Sequence, residues 1–589
     1  MSFKHSKCKS GRFPVKGIAA TCFAALCGAG AIDNAMAFVI DTEHPDIRMR
    51  WDNTISYTAA WRLSDPDSKV ASQNGNQPNV DYGNLSFDKG LINNRFDLLS
   101  EFDLSYKNAG LRLSGAAWYD DVYNKSRTDY PGGLPNTQAD LRGGAPNVFP
   151  KRTEELMGRY AELADAFVYG KFDFGERSLN LRAGRHTSIY GETIFLGGNG
   201  IAAAQGPVDL IKAQSLPTVQ FKEIAMPVTQ LSGSFSLTPQ VSIGAYYQLE
   251  WRKMRIPPTG SYFSIADGWF DGGDLVLLPP HLQTIDLGPG GVQDLYGPFA
   301  FRGKDYRGDD SGQFGAQIKI KAGDIDFGLY AARYDEKAPI PVVDLTGGPQ
   351  FLGGPAPTYN MMYAKGIDVL GASASTIIGE TNVAIEVSTR RNVPLAVPGD
   401  MIINSAVLNA DNDKNTPYAR GNSFHANLSA ISIFGGNAIW GGASLVGEVA
   451  FNRLLSVTHR PAYDAANGAP NPLNSTHDRD SAVMRAVFTP EFFQVMPNVD
   501  LQVPIGLGYG LFGRSAVVQL APEHGGDLSI GVNANIERTW KVGLNYVHYF
   551  GEKGTAPSDA TNIPISTYAS YKQYYHDRDF VAFTVQRTF

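Results

Sequence analysis

Six charged residues gather around the least barrel-like stretch of this chain. Arg185, Glu192, Asp209, Lys212, Lys222 and Glu223 lie in or beside residues 186–226. Opposite charges across a narrow wet passage would set up a transverse field that orders water and sorts solutes by charge and size. The same groups could instead pair with one another and hold a buried loop, because buried charges need partners. Gly506, Gly508 and Gly510 offer something different. In the stretch 499–513 they oppose Leu501, Val503, Ile505, Leu507, Tyr509 and Leu511, so all three would face one side together. Bare backbone there lets a folded-in loop or a passing ligand come close.

Signals for bond-making chemistry are weaker. There is no G-x-S-x-G and no H-E-x-x-H. His477-Asp478-Arg479-Asp480 echoes His576-Asp577-Arg578-Asp579, each just ahead of an expected strand. A charged outer rim, where lipopolysaccharide and divalent ions would lie, accounts for both as well as catalysis does. Asp411, Asp413 and Asn415 have calcium-loop spacing without the required Gly and distal Glu. Gly508 to Gly513 matches G-x-G-x-x-G, but no helix follows and a secreted chain meets no dinucleotide pool. No catalytic, metal-binding or cofactor-binding residue is assigned, and the chain is not expected to be an enzyme.

Any such residues must be positioned by strands, because period-two alternation runs from one end of the chain to the other. Trp51, Asn53, Ile55, Tyr57, Ala59 and Trp61 oppose Asp52, Thr54, Ser56, Thr58 and Arg62. Val241, Ile243, Ala245, Tyr247, Leu249 and Trp251 oppose Ser242, Gln248, Glu250 and Arg252. At the C-terminus Val581, Phe583, Val585 and Phe589 share one parity, opposite Ala582, Thr584, Gln586 and Thr588. A strand that alternates in this way faces two media. The polar side is Ser, Thr, Asn, Gln and Gly with scattered charges, which suits a wet lumen better than the Lys/Glu surface of a soluble sandwich, propeller or β-helix. Tight turns such as Asn108-Ala109-Gly110, Ala322-Gly323-Asp324 and Arg538-Thr539 alternate with long Pro/Gly/Asn/Asp-rich loops. That rhythm predicts an all-β transmembrane antiparallel barrel of about 18 strands, with 14 or 16 as alternatives, both termini periplasmic and a monomeric state.

The expected strands lie near 51–63, 95–107, 111–120, 161–174, 177–185, 227–237, 240–254, 311–322 and 325–335. They continue near 366–378, 381–391, 421–433, 439–456, 480–492, 499–513, 526–537, 540–550 and 578–589.

The N-terminus fits an envelope protein. Lys4, Lys7, Lys9, Arg12 and Lys16 precede a short apolar run from Gly17 to Ala31, and Ala35-Met36-Ala37 reads as a cleavage site. Residues 1–37 are thus an expected signal peptide, and 38–589 a single barrel. Cys8, Cys22 and Cys27 all lie in the leader, which removes disulfides and thiol chemistry from the mature chain. A lipidated N-terminus and a cytoplasmic N-terminal helix are the lesser alternatives. The leader carries five Lys/Arg and one acid, so 46 bases and 57 acids remain, a net charge of −11. Nucleic acid is therefore not an expected partner. No apolar run after residue 37 is long enough for a membrane helix, which leaves only a closed barrel as a way across a bilayer.

Residues 186–226 are too apolar for an exposed loop. Gly206-Pro207 could start a short helix with Asp209 in its first turn. The expectation is a loop folded into the lumen as a constriction or plug, with packing against neighbouring external loops as the alternative.

Several motifs together carry a family resemblance: Asn93-Asn94-Arg95-Phe96-Asp97, Gly184-Arg185, Tyr190-Gly191-Glu192, Gly206-Pro207-Val208-Asp209 and Phe221-Lys222-Glu223. The pattern resembles a large family of bacterial outer-membrane β-barrel proteins catalogued as a domain of unknown function. It covers nearly the whole mature chain. The resemblance implies movement of hydrophobic compounds, with a periplasmic or lipoprotein partner and an inner-membrane exporter of the resistance-nodulation-division type; the leading expectation is a passive channel for small hydrophobic or aromatic molecules. A substrate-selective hydrophilic porin and an adhesive or structural barrel are the alternative functions. Outer-membrane lipid, lipopolysaccharide and the barrel assembly machinery are the expected surroundings, with Phe583, Val585 and Phe589 as the assembly signal.

Overall fold

The computed structural model describes residues 38–40, 42, 44–71, 79–125, 127–132, 137–215, 220–278, 280–288, 291–396, 402–461, 477–518, 520–554 and 572–589. The expected leader, with its three cysteines and the Ala37 junction, lies outside the described residues.

Eighteen strands close into one antiparallel barrel. They are β1 Ile47–Arg62, β2 Gly90–Tyr106, β3 Ala109–Asp120, β4 Arg159–Phe174, β5 Arg177–His186 and β6 Val228–Ser236. Next come β7 Val241–Gln248, β8 Phe314–Ala322, β9 Ile325–Tyr334, β10 Ile367–Ile378, β11 Thr381–Pro394 and β12 Arg420–Phe434. The last are β13 Gly442–His459, β14 Asp480–Met496, β15 Val499–Gln502 with Ile505–Phe512, β16 Gly526–Ile536, β17 Trp540–Phe550 and β18 Phe580–Thr588. Both pieces of β15 pair with β14 and β16, so Val503-Pro504 interrupts one strand and does not end it. A proline has no N–H to give the ladder, which is why the break falls there. Each expected strand is present. The expected turn Arg538-Thr539 sits one residue earlier, where Glu537 and Arg538 take φ of 51° and 59°.

Closure is made by β18 against β1, from Thr54 opposite Thr588 to Arg62 opposite Phe580. Beyond it, Asn53 and Phe589 exchange backbone hydrogen bonds of 2.8 and 2.9 Å. A short strand, Phe38–Ile40, continues that edge by pairing with Met49–Trp51. Arg587 breaks the apolar face expected for β18 by lying over the Trp540 ring, 5.0 Å from its centroid. Phe589 itself is 42% exposed, so its side chain contributes little to packing. Phe589→Asp is therefore expected to lower the yield of barrel in the outer membrane without lowering the melting temperature of what does assemble. Equal yields of the heat-modifiable folded form would remove its role as a signal.

The outer parity carries Leu98, Leu231, Leu329, Leu370, Ile385, Leu428, Ile530 and Leu544, all exposed. An apolar belt of this kind on a closed sheet is the surface hydrocarbon requires, because every backbone polar group is paired within the wall. No helix among the described residues is long and apolar enough to cross a membrane.

The long loops hold structure that alternation does not announce. Leu275–Leu277, Phe299–Arg302, Ile340–Asp344, Thr358–Met362 and Ile402–Asn404 form a separate five-stranded sheet over the long-loop end of the barrel. Its core includes Trp251, Trp269, Phe270, Val343, Tyr359 and Tyr363. A second cluster joins loop residues Phe87, Tyr123, Phe149 and Tyr262 to the inner-parity residues Val547, Tyr549 and Phe580. Loops thus fill the upper mouth of the barrel.

Lys337, in the turn after β9, is buried in this cap. Its Nζ donates to the Asp335 carbonyl at 3.1 Å and to Gln313 Oε1 at 3.4 Å. Burial lowers its ammonium to about 8 from 10.5. The unfolded chain then binds more protons across that interval, so cap stability is penalised below about pH 8 and recovers as pH rises toward 10.5. Lys337→Met is expected to remove a penalty on the order of 3 kcal/mol at neutral pH and flatten this dependence. Thermal unfolding followed from pH 7 upward reads both; an unchanged pH profile would count against the assignment.

Candidate functional site

The segment between β5 and β6 runs into the lumen. Its short helices are Ile201–Ala204, Leu210–Ser215 and Phe221–Ile224. The helix expected at Pro207 begins instead at Leu210. Val208 and Asp209 are drawn into isolated bridges with Ala225 and Arg255, and the Asp209 carboxylate accepts from the Lys212 N–H at 3.1 Å as a cap.

What holds the segment is a set of wall residues that sequence reading did not single out. On β11, Ala384, Glu386, Ser388 and Arg390 share the inner parity, opposite the exposed Ile385. Glu386 Oε2 accepts the Glu192 N–H and Oε1 the Ile201 N–H, both at 2.6 Å. On β13, Glu448 Oε2 accepts the N–H groups of Ile194, Phe195 and Leu196 at 3.1, 2.6 and 2.8 Å. Its Oε1 accepts Thr193 Oγ1 and Asn427 Nδ2, both at 2.7 Å. Arg390 donates to the carbonyls of Gly198, Asn199 and Gly200 at 3.0, 2.8 and 2.8 Å. Asn199 Nδ2 reaches Ala426 O, Asn427 Oδ1 and Phe451 O at 3.2, 2.8 and 3.0 Å. Both carboxylates are only 2% exposed. Buried charge is tolerated here because donors converge on it, and hydrogen bonds to an ionised group are the strong kind. The clue in the sequence was a lone acid on the inner parity of a strand, as in Ala384-Ile385-Glu386-Val387-Ser388. That pattern also fits an ordinary lumen charge.

Gly191 explains why the segment can sit so close. Its φ is +95°, and a Cβ there would lie 2.1 Å from Glu386 Oε2. Tyr190 packs with Ile201, Tyr246 and Tyr330, and Phe221 lies over Gly197.

The expected site residues divide. Glu192 faces the wall lysine Lys319 at 3.5 Å. Asp209 is bound to Arg255 at 2.6 Å, and Arg255 also binds Glu162 at 2.5 Å. Lys212 Nζ donates to the Glu223 carbonyl at 3.3 Å, while the Glu223 carboxylate accepts the Gln220 N–H at 3.3 Å as part of a capping box. Lys222 is exposed. Arg185 departs from the lumen-lining expectation. It shares the parity of Leu179, Leu181 and Ala183, pairs with Ala166 and Thr229 in the ladder, and meets Glu250 at 2.8 Å. Gly184, with φ of +122°, precedes it, and the strand keeps its register, so Arg185 stays on the outer parity. Arg185, Glu192 and Asp209 form local ion pairs and Lys212 and Glu223 bond backbone groups; the six do not line up as one opposed field.

Gly506, Gly508 and Gly510 do take the inner parity, opposite Val487, Arg485 and Val483. A Cβ at Gly510 would lie 1.9 Å from the Pro522 carbonyl, and one at Gly508 would meet the Arg485–Asp527 pair, itself 2.6 Å long. The loop carrying Pro522 packs Leu520 and Ala521 beside Leu196 and Phe195 of the inward segment. The bare wall is thus occupied by a second folded-in loop.

Below the segment, on the β2–β8 side, a cavity of about 560 Å³ is lined by Asp103, Arg112, Tyr169, Arg182, Ser232 and Gln317 among others. Arg112 there is held by Glu101 at 2.5 Å and Asp103 at 2.7 Å.

The echoed motifs have structural work. Asp577 accepts from Asp67 N–H at 2.6 Å and Asn84 Nδ2 at 2.9 Å, and pairs with Arg62 at 3.1 Å. Asp577 and Arg578 are buried, which departs from a rim displayed to lipopolysaccharide. Asp478 pairs with Arg514 at 3.0 Å. Asp411 Oδ1 is taken up by the N–H groups of Asp413, Lys414 and Asn415.

Residues 18–589 match the model of a family described as a protein of unknown function, DUF1302. The chain belongs to that family. No curated protein matches. Among solved structures, OccAB4 of Acinetobacter baumannii is similar at 7% identity and a TM-score of 0.37, with 92% of this chain and 98% of that one covered. The outer membrane channel DcaP of the same organism gives 8% and 0.35, covering 94% and 100%. OccK2 of Pseudomonas aeruginosa, solved with glucuronate, gives 9% and 0.35, covering 92% and 97%.

Proposed function

We propose that this protein is an outer-membrane channel for small hydrophobic or aromatic compounds, passive in itself and given direction by a periplasmic or inner-membrane partner. Supporting the channel reading is one observation above the others: residues 187–215 enter the lumen, and residues 192–201 among them are fastened to its wall by Glu386, Arg390 and Glu448. A barrel that existed only for adhesion or architecture has no need of a segment laid across its bore. The apolar side chains of that segment, Tyr190, Ile201 and Phe221 among them, are buried in small clusters, so the segment sits in the bore as a packed apolar body. In this reading the short-turn end, which carries both chain termini, faces the periplasm.

The polar cavity beneath the segment favours a second reading, a hydrophilic solute-selective porin. Planar-bilayer recording separates the two. The hydrophobic-compound channel is expected to show little steady ionic conductance, rising when residues 190–215 are deleted. A wide, steady conductance in the intact protein would favour the porin and set aside the leading reading.

A further inference from the structure

The barrel wall is not equally tall all the way round. β4 extends up to Arg159, but its uppermost residue paired with β5 is Ala166, opposite Arg185. Above that point β4 is laddered to β3 alone. β5, β6 and β7 have 10, 9 and 8 residues, against 16 in β4. Chain from Leu249 to Arg255 passes above them as an irregular strap, with Arg255 N–H donating to the Val208 carbonyl at 2.9 Å.

A cavity of about 760 Å³ sits at this step. Its lining comes from both faces of the wall. Tyr160 lies opposite Trp118, on the inner parity of Arg112 and Ser114. Thr229 and Leu249 continue the outer parity of Leu231 and Tyr247. The cavity therefore crosses the plane of the sheet. Leu163, on the free edge of β4, is 51% exposed and Leu249 is 47% exposed, so the bilayer side of the step is flanked by apolar side chains.

Side chains take up several of the polar groups at the step. Arg185 Nη1 donates to the Leu163 carbonyl at 3.1 Å, an edge carbonyl that β5 does not reach, while Nη2 binds Glu250 at 2.8 Å. Glu250 also accepts the N–H and hydroxyl of Thr229 at 2.9 and 2.7 Å. A free strand edge beside hydrocarbon would otherwise leave unpaired polar groups in lipid. Further in, Arg252 and Arg255 meet Glu162 at 3.6 and 2.5 Å. The passage thus grades from apolar outside to charged within.

We propose that this step is a lateral portal, by which the apolar tail of a single-chain amphiphile passes between the outer leaflet and the lumen. The volume suits one small ligand. The proposal rests on the hydrophobic-compound reading above and adds the route. It also gives Arg185 a position-specific task, sealing the sill of the portal, that its place outside the lumen otherwise lacks.

Vesicles containing the intact protein and a diazirine-bearing long-chain fatty acid test it directly. Photolabel is expected on Tyr160, Met226 and Trp251 as well as on Leu163 and Leu249. Label confined to unbroken bilayer face, such as Leu231, Leu370 and Leu428, would overturn the portal. Thr229→Trp, which fills the opening, is expected to cut uptake of the fatty acid severalfold and leave ion conductance unchanged; equal uptake would overturn the route. Intact protein that labels at Tyr160 yet takes up no fatty acid would end the transport reading while the binding step stands.

Discussion

Glu448→Ala is expected to give a folded barrel with a much larger and noisier single-channel conductance. The carboxylate gathers three backbone N–H groups, one hydroxyl and one amide. Alanine leaves those donors facing a void. Each buried donor stranded in this way costs roughly 1–3 kcal/mol, and the total exceeds what the small apolar clusters around Leu196 can return. The docked state of the segment is then no longer favoured, while the ladder hydrogen bonds of β13, which are made by backbone, stay intact. Glu448→Gln is the sharper control. It keeps the volume and one acceptor oxygen but loses the charge and turns the other position into a donor aimed at donors. Its conductance should fall between wild type and Glu448→Ala. If all three proteins conduct alike, the segment is not what closes the lumen.

Gly191→Val should have an effect of similar size for a different reason. The backbone there sits at φ of +95°, which a β-branched residue avoids, and its Cβ would fall 2.1 Å from Glu386 Oε2. Neither fault can relax without breaking the Glu192 and Ile201 bonds to that carboxylate. The expected result is an undocked segment in an otherwise normal barrel: full heat-modifiability, new protease cleavage within residues 187–227, and raised conductance. Gly379→Ala makes the comparison fair. Its φ is +61°, but nothing lies within 4 Å of the added carbon, so only the turn strain is felt. Protection of the segment in Gly191→Val equal to that in Gly379→Ala would mean the close approach to Glu386 is not needed for docking.

The strands were legible because a membrane barrel has a two-sided requirement at every residue. Outward positions must be apolar and inward positions must tolerate water, so β7, β16 and β17 wrote their period into the chain without reference to any partner. The terminal strand was equally clear, apart from Arg587, whose cover over Trp540 depends on a neighbour. The inward segment was visible as an apolar stretch out of place. Its fastenings were not, since Glu386 and Glu448 lie more than 180 residues from the N–H groups they hold, and nothing local marks a carboxylate as an anchor.

Two further features needed the folded chain. The loop sheet over the mouth assembles strands from Leu275–Leu277 to Ile402–Asn404, each too short to show a period, and only mutual burial makes them regular. The step in the wall depends on where β5 stops relative to β4, a matter of register between strands. Sequence alone settled that this is a barrel and, apart from Arg185, the main run of outward residues, because those are properties of single strands in a two-phase solvent. Tertiary structure decided what fills the bore, which charges pair, and where the wall is low, because each of those depends on distances between parts of the chain that carry no local signal of one another.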